Sequence, residues 1–558
     1  MSKKAPSSIY TDFEDICYIF LKEIVSVASQ SKKLNSKATH KIIEDKLCNW
    51  MFSEIPFLYE LTRDEFHDVN LELHQSVKTV NHKRHEKLIS NLKQYHLLGI
   101  AKKINLARIK FKEGMVGILS RFSRRFFERE KLFDFSDKQL KSLARRIAFN
   151  NPDLPLRASK NIQDCNNNSS YIFVSHLFPT TWLPTVAELR SKGKHTTWLG
   201  VNPVHEFGSY GVAVNTSVNT DKVITDGLLI TLMVLAKCTD CKILLSGECF
   251  IGSNWKKNDT TLLYMVMTAV TSMIRSTSDK NNLTLMMYDG IKPFSDQDQG
   301  NQSISYFYRA YMRNADRIIY NSNTPEFGDF MENSINLTAP KLHFYRYGYS
   351  INGDAVKKYP LDEIHIGCIT VVLNEFAEPS RDGVTSYIEK ICRSGIHFHY
   401  FCKEDDRAVR DFIDRLGPDE KYFHPHKIEK DPVKLVNKIA QFHFGFNPSD
   451  HVPFAHGIAG MDDRFYQDSL SMFWQSTVAT SFLVYASAGL PVILPRGCTG
   501  SVKMLGESAF PINLVEMPNL KTIFEKEDLN GCISKASANA YNFDINNRIQ
   551  DMIEFIEQ

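Results

Sequence analysis

Tyr485-Ala-Ser-Ala-Gly489-Leu-Pro-Val-Ile-Leu-Pro495 is the stretch from which the fold is read. Its first residues close a helix, and Gly489 directly after them suits the left-handed turn in which helices commonly end. The apolar Val-Ile-Leu run fits a parallel strand covered on both faces, so a strand is predicted from Leu490 to Leu494. Arg496-Gly-Cys-Thr-Gly-Ser501 follows as a loop of small residues at the strand's carboxyl end. In an open α/β sheet, ligands bind along that edge. The segment reads as one wall of a small-molecule site.

The same rhythm extends backwards to Ser170. Tyr171–His176, Thr196–Leu199, Lys242–Leu245, Leu283–Tyr288, Arg317–Tyr320 and Lys341–Tyr345 read as strands, separated by helical runs such as Leu183–Lys192, Leu228–Ala236 and Thr260–Ile274. A second series starts near Ile364, with strands at Ile366–Leu373, His397–Phe401, Tyr422–Phe423 and Phe442–Phe446. Alternation of this kind predicts parallel sheets with helices on both faces. No residue-level repeat links the two series.

Upstream the pattern is helical. Phe13, Ile16, Ile19, Phe20 and Ile24 recur at helical spacing. Residues 102–146 carry fourteen Lys/Arg against five Asp/Glu. Within them Met115, Leu119, Phe122 and Phe126 share a face, with Arg121, Arg124, Arg125 and Arg129 largely elsewhere. That is a basic amphipathic helix. It suits an anionic membrane surface or an acidic partner, although such stripes most often face a core. Asn150-Asn-Pro-Asp-Leu-Pro and Asp164-Cys-Asn-Asn-Asn-Ser-Ser170 break the pattern as loops do.

The 558 residues imply more than one domain, and 43% hydrophobic with 23% charged residues is ordinary globular composition. A net charge of +3 does not argue for nucleic acid. No apolar window is long enough to span a membrane, and Met1-Ser-Lys-Lys-Ala-Pro lacks the apolar core of a secretory signal. The expected location is cytoplasmic, with peripheral contact to the inner membrane face as an option for the basic helix. Eleven scattered cysteines read as reduced thiols. Cys238-Thr-Asp-Cys241 is a lone CxxC; a zinc site normally needs further ligands.

Four stretches carry a family resemblance. Asn314-Ala-Asp-Arg-Ile-Ile-Tyr-Asn-Ser322, Lys341-Leu-His-Phe-Tyr-Arg-Tyr-Gly348, Arg381-Asp-Gly-Val384 and Tyr485–Pro495 resemble, in order and spacing, motifs of GT-B fold glycosyltransferases. The nearest likeness is to the retaining, nucleotide-sugar-dependent enzymes that build polysaccharides and glycoconjugates. The resemblance covers residues 170–558. It implies an α/β fold of two Rossmann-like domains (GT-B) preceded by an all-helical N-terminal domain. The expected boundaries are 1–150 (helical), 151–170 (linker), 171–350 (acceptor side) and 351–558 (donor side, with the C-terminal helix).

The resemblance also implies roles. Metal-independent enzymes of this fold balance the donor's diphosphate with helix N-termini, amides and cations. Arg381, Gly383, Thr499, Gly500, Ser501 and Lys503 are the candidates for that task, and no cofactor beyond the donor is expected. His426, in His424-Pro-His426, is a candidate to stack on the nucleobase. Asp289 can orient an acceptor hydroxyl or act as general base; His176 and His205 stand on the same side as further catalytic candidates. His397 and His399 share one strand face and read as packing or polar-network residues. The family's paired glutamates, eight positions apart, fall on Ser476 and Val484, neither of which supplies a carboxylate. Asp450 and residues 451–463 lie close enough in sequence to compensate.

The expected function is a glycosyltransferase acting on a glycan, lipid-linked glycan or protein acceptor. The alternatives are a catalytically altered GT-B scaffold serving another glycosyltransferase, and a nucleotide-sugar epimerase. Expected partners are the nucleotide-sugar donor, the acceptor, and a membrane or protein surface met by the N-terminal helices; nucleic acid is not among them.

Overall fold

A computed structural model describes residues 7–34, 46–47, 50–51, 135–174, 183–200, 221–224, 227–246, 260–277, 283–287, 303–321, 324–345, 347–349, 356–369, 382–402, 407–427, 429, 432–447, 476, 478–513, 516 and 519–558. These form two compact units: residues 1–160 with 227–236, and residues 161–226 with 237–558.

The described residues of the first unit are helical. Helix α1 (Ser7–Leu34) buries Phe13, Ile16, Phe20, Ile24 and Val27, the i, i+3, i+4 stripe that drives an amphipathic helix onto a neighbour. Its neighbour is α2 (Asp137–Asn150), which buries Leu140, Ala144 and Ile147. A capping box starts α2: the Ser136 amide donates to Gln139 Oε1 at 2.8 Å. Tyr18 donates to Asp137 at 2.8 Å, and Arg145 to Glu14 at 3.2 Å. The expected linker at 151–170 is mostly helix α3 (Leu154–Asn167). Pro155 takes the first turn, where its missing amide costs nothing. The basic amphipathic stretch around Met115–Arg129 lies outside the described residues.

The second unit holds two all-parallel sheets. The first contains β1 (Tyr171–Val174), β2 (Thr196–Leu199), β3 (Lys222–Ile224), β4 (Lys242–Ser246), β5 (Leu283–Met287), β6 (Arg317–Tyr320) and β7 (Lys341–His343), in spatial order 3-2-1-4-5-6-7. The second contains β8 (His365–Cys368), β9 (His397–Cys402), β10 (Phe423–Lys427), β11 (Phe444–Phe446), β12 (Val492–Pro495) and β13 (Ala509–Ile512), in order 10-9-8-11-12-13. Each sheet starts centrally, walks to one edge, and crosses back to the other side. That is the doubly wound Rossmann order, with its switch point between β1 and β4 in one sheet and between β8 and β11 in the other. β1, β2, β5, β8 and β12 are buried throughout, as strands covered on both faces must be.

Helices fill the crossovers. α4 (Leu183–Ser191), α6 (Thr260–Thr277), α7 (Ser303–Arg313) and α8 (Pro325–Ile335) serve the first sheet, while α5 (Leu228–Lys237), apolar on every side, groups with the N-terminal unit. α9 (Asp382–Arg393), α10 (Arg407–Leu416), α11 (Pro432–Ile439), α12 (Thr480–Ser487) and α13 (Thr499–Leu505) serve the second, followed by α14 (Leu520–Phe524), α15 (Leu529–Asn539) and α16 (Ile549–Glu557).

One hydrophobic cluster runs through both sheets, joining Tyr171, Trp198 and Phe344 to Phe482, Tyr485 and Ile553. The last helix contributes Ile549, Met552, Ile553 and Ile556 to this shared cluster. α16 packs on α4 of the first sheet. Glu557 accepts from Tyr171 at 2.6 Å and pairs with Lys194 at 2.5 Å. Burial opposes ionisation of Glu557, but these two donors outweigh it and hold the carboxyl below its usual range.

Candidate functional site

The decisive turn forms as its residues require. α12 ends at Ser487, and Gly489 adopts φ +69. A β-carbon there would stand 3.2 Å from Ser537 Cα, so glycine is demanded by conformation and by space. The Leu490 amide returns to the Tyr485 carbonyl at 3.0 Å. β12 then runs buried to the carboxyl edge. The expected small-residue loop is shorter than predicted, because α13 begins already at Thr499.

Tyr485 ties that edge together. Fully buried, its hydroxyl accepts from the Ile369 amide at 2.8 Å and donates to the Phe446 carbonyl at 3.1 Å. These groups lie just past β8 and at the end of β11. One phenol therefore fixes the carboxyl ends of the two central strands flanking the switch point. Asn447, next in line, donates to Ser481 Oγ at 2.9 Å.

The two sheets also meet here. The Thr324 amide donates to the Ser476 carbonyl at 2.9 Å, and Lys503 pairs with Glu326 in the first turn of α8. The Lys503 contact, foremost, pulls the Glu326 carboxyl down to about 2. Ser476 is buried, and Val484 packs against the core cluster. Both positions where the resembled family carries glutamate are therefore absorbed into packing.

The predicted site residues divide. Asp289, His176, His205 and Arg381 lie outside the described residues, as do Asp450 and the 451–463 segment. Gly383 is the second residue of α9. Thr499 is exposed at the start of α13, with Gly500 and Ser501 buried behind it. Lys503 projects from α13 with its ammonium on Glu326. His426 sits near the carboxyl end of β10, opposite Phe401 of β9, and belongs to a layer of histidines on β8–β10.

That layer was only half visible in sequence. His399 Nδ1 lies 2.8 Å from His426 Nε2, and His399 Nε2 lies 2.8 Å from His365 Nδ1. In parallel, His397 Nδ1 meets His424 Nε2 at 2.8 Å. His397 and His399 are network residues, as expected. The His365 amide donates to His443 Nδ1 at 2.9 Å, so His443 must carry its proton on Nε2, which faces the Tyr359 carbonyl at 2.8 Å. Burial, reinforced by neighbouring imidazoles, holds His365 down to about 3, His399 to about 2, and His426 to about 4 with Lys438 adding to it. The rings are neutral at pH 7.

His365 opens β8, one residue before the strand predicted from Ile366. The available signal was Glu363-Ile-His365, whose i, i+2 spacing puts both side chains on one strand face. Glu363, His365 and His397 each offer a ligand atom, all within 4.8 Å of one another. A second cluster brings Cys165 of α3 against both thiols of the CxxC. Its hydrogen bonds with Cys238 and Cys241 pull Cys165 down, while Cys238 is pushed up by its own bonds with Cys165 and Cys241. Cys241 also donates to Asn166 Oδ1 at 3.4 Å.

No family model matches the chain, and no curated protein matches it. Solved structures do. The pneumococcal O-GlcNAc transferase GtfA, in complex with UDP and GlcNAc, aligns at 12% identity and TM-score 0.36, over 52% of this chain and 54% of that one. This chain thus spans about half the length of that structure. WaaG, a glycosyltransferase involved in lipopolysaccharide biosynthesis, aligns at 10% identity and TM-score 0.39, over 69% and 99%. A putative UDP-N-acetylglucosamine 2-epimerase from Listeria monocytogenes aligns at 12% and TM-score 0.37, over 69% and 96%. The fold itself is established by the order and direction of the strands in the two sheets.

Proposed function

We propose that the protein is a glycosyltransferase of GT-B architecture that takes its donor as a nucleotide sugar at the carboxyl edge of the second sheet. The observation that carries this reading is the edge itself. Tyr485 fixes the ends of β8 and β11 beside the switch point, and β12 delivers Thr499, Gly500 and Ser501 at the start of the next helix. Two doubly wound sheets in one unit, linked at Thr324–Ser476 and Glu326–Lys503, supply the second wall. The sequence motifs at Asn314–Ser322 and Tyr485–Pro495 favour the same reading.

In this proposal no metal serves the donor. Arg381, next before α9 in the sequence, and Gly383 in its first turn join the α13 residues around the diphosphate, and Lys503 exchanges Glu326 for a phosphate oxygen. The acceptor, a glycan, lipid-linked glycan or protein, is proposed to enter from the first sheet, where Asp289, His176 and His205 are the candidates to receive its proton. Closure of the two walls excludes water and suppresses hydrolysis.

Thermal-shift titration with UDP, GDP, ADP and CMP tests the donor site. A ligand at a hundred times its Kd stabilises by about 2.7 kcal/mol. One nucleotide is expected to raise the melting temperature, and its sugar conjugate to be consumed in the presence of acceptor. A second reading is favoured by one observation: Ser476 and Val484 are both committed to packing. In that reading the chain is a GT-B scaffold that assists another glycosyltransferase, and no nucleotide stabilises it. Conversion of a UDP-sugar into its epimer alone would replace both.

A further inference from the structure

The second sheet carries a cluster at its amino edge that the donor reading does not use. β8 and β9 begin side by side, with His365 paired to His397 in register. Glu363 lies two residues before His365. Its Oε2 stands 3.6 Å from His397 Nε2 and 4.0 Å from His365 Nε2. Tyr485 marks the opposite end of these strands at Ile369, about 13 Å away at about 3.3 Å per residue.

The decisive atom is His365 Nε2. The residue is 4% exposed, and this nitrogen has no hydrogen-bond partner. The ring is held by its neighbours all the same: Nδ1 meets His399, and the ring stacks on Tyr359 at 3.8 Å and on His397 at 4.5 Å. Whichever tautomer forms, a polar atom is left buried and unsatisfied beside a carboxylate too distant to accept from it. That costs about 1–3 kcal/mol, and such an atom in a folded protein calls for a ligand.

We propose that Glu363, His365 and His397 bind a divalent transition-metal cation of the zinc class, through one carboxylate oxygen and two Nε2 atoms, with water in the remaining position.

The proton inventory agrees with this at every ring. With both Nε2 lone pairs on the metal, His365 and His397 carry protons on Nδ1. His365 then donates to His399 Nε2, which makes His399 an Nδ1–H tautomer, and it donates in turn to His426 Nε2. His397 donates to His424 Nε2. Every ring stays neutral, and each of the three ring-to-ring nitrogen contacts has one donor and one acceptor. Metal-bound imidazoles characteristically donate their second N–H to such a partner, which fixes tautomer and orientation. Two imidazoles and a carboxylate with an open position form a donor set common for zinc. The Glu363 side chain is 65% exposed, so it can swing inward and solvent can reach the ion. The stacked rings must tilt until their Nε2 atoms stand about 3.4 Å apart, the span set by tetrahedral bonds of roughly 2.0–2.1 Å.

Titration of the metal-depleted full chain with Co2+, followed by visible absorption and by displacement with Zn2+, tests the site. One Co2+ per chain is expected, with the ligand-field bands of a four- or five-coordinate ion. Glu363→Gln is expected to weaken binding at least tenfold, and His424→Gln by roughly 10–100-fold through its hold on His397. Glu363 is exposed, so its variant keeps the fold, as circular dichroism will verify. Cys238→Ser is expected to bind Co2+ as the parent does. Absence of Co2+ binding, binding unaffected by Glu363→Gln, or loss in Cys238→Ser together with a thiolate charge-transfer band would each overturn the assignment. None of these readouts depends on nucleotide binding.

Discussion

The ring of Tyr485 occupies the space that a side chain at Gly445 would need: a β-carbon there would come 2.1 Å from its Cγ and 2.5 Å from both Cδ atoms. The helix that carries the decisive turn is thus seated directly on β11. Gly445→Ala must displace a buried ring whose hydroxyl is held at two points. Overpacking of this kind costs about 1–3 kcal/mol. Urea denaturation is expected to show a lower midpoint at unchanged slope.

Tyr485→Phe tests the other half of that relationship. It keeps the packing and leaves the Ile369 amide and the Phe446 carbonyl without the hydroxyl. The expected loss is about 1–3 kcal/mol. Amide hydrogen exchange should quicken at Ile369 before it does at the amino ends of the same strands. Uniform protection across β8 would count against the phenol as the tie.

Lys503 and Glu326 give opposite expectations for ligand and for fold. The pair is solvent-exposed, with side-chain exposures of 75% and 41%, so either alanine variant should change stability by no more than about 1 kcal/mol. If Lys503 serves a donor phosphate, Lys503→Ala weakens nucleotide binding roughly tenfold or more. Glu326→Ala, by releasing the ammonium, tightens it. Calorimetric titration of both variants with the stabilising nucleotide distinguishes this from a purely structural pair, for which the two would behave alike.

The histidine layer makes stability fall with acid. Unfolded histidine titrates near about 6.5, while burial holds folded His365 to about 3 and His399 to about 2. The unfolded chain therefore takes up protons below pH 6.5 and the folded layer does not. Its stabilising contribution is complete above that pH and is lost progressively as pH falls towards the folded values. Each buried ring contributes a slope of at most about 1.4 kcal/mol per pH unit. Denaturation midpoints measured with chelator present should drop between pH 7.5 and pH 5, and His399→Gln should flatten that dependence.

Much of the architecture was legible because the parallel strands are short apolar runs bounded by turn residues. Thr196–Leu199, Arg317–Tyr320 and the Gly489 turn fall where the pattern puts them. The pattern failed where local cues were weak or misleading. Lys222–Ile224 and Ala509–Ile512 are short strands with little to mark them. Asn150–Pro155 looks like a linker, yet a proline near a helix start is compatible with the helix that forms. Phe423–Lys427 alternates histidine with proline and reads poorly as a strand, but β9 pairs with it along its whole length.

The alternation of strand and helix, the glycine at the decisive turn, and the absence of glutamate at positions 476 and 484 are written in the primary sequence. These are properties of neighbouring residues or single positions, and periodicity and residue type express them directly. The tertiary structure decided what lies between distant segments. It set Tyr485 across two strand ends, brought the last helix against α4 of the first sheet, gave Lys503 to Glu326, and drew Glu363, His365 and His397 together at one edge. Apart from the Glu363–His365 neighbours, those contacts join residues tens to hundreds of positions apart. They follow from sheet register and strand order, which no local pattern encodes.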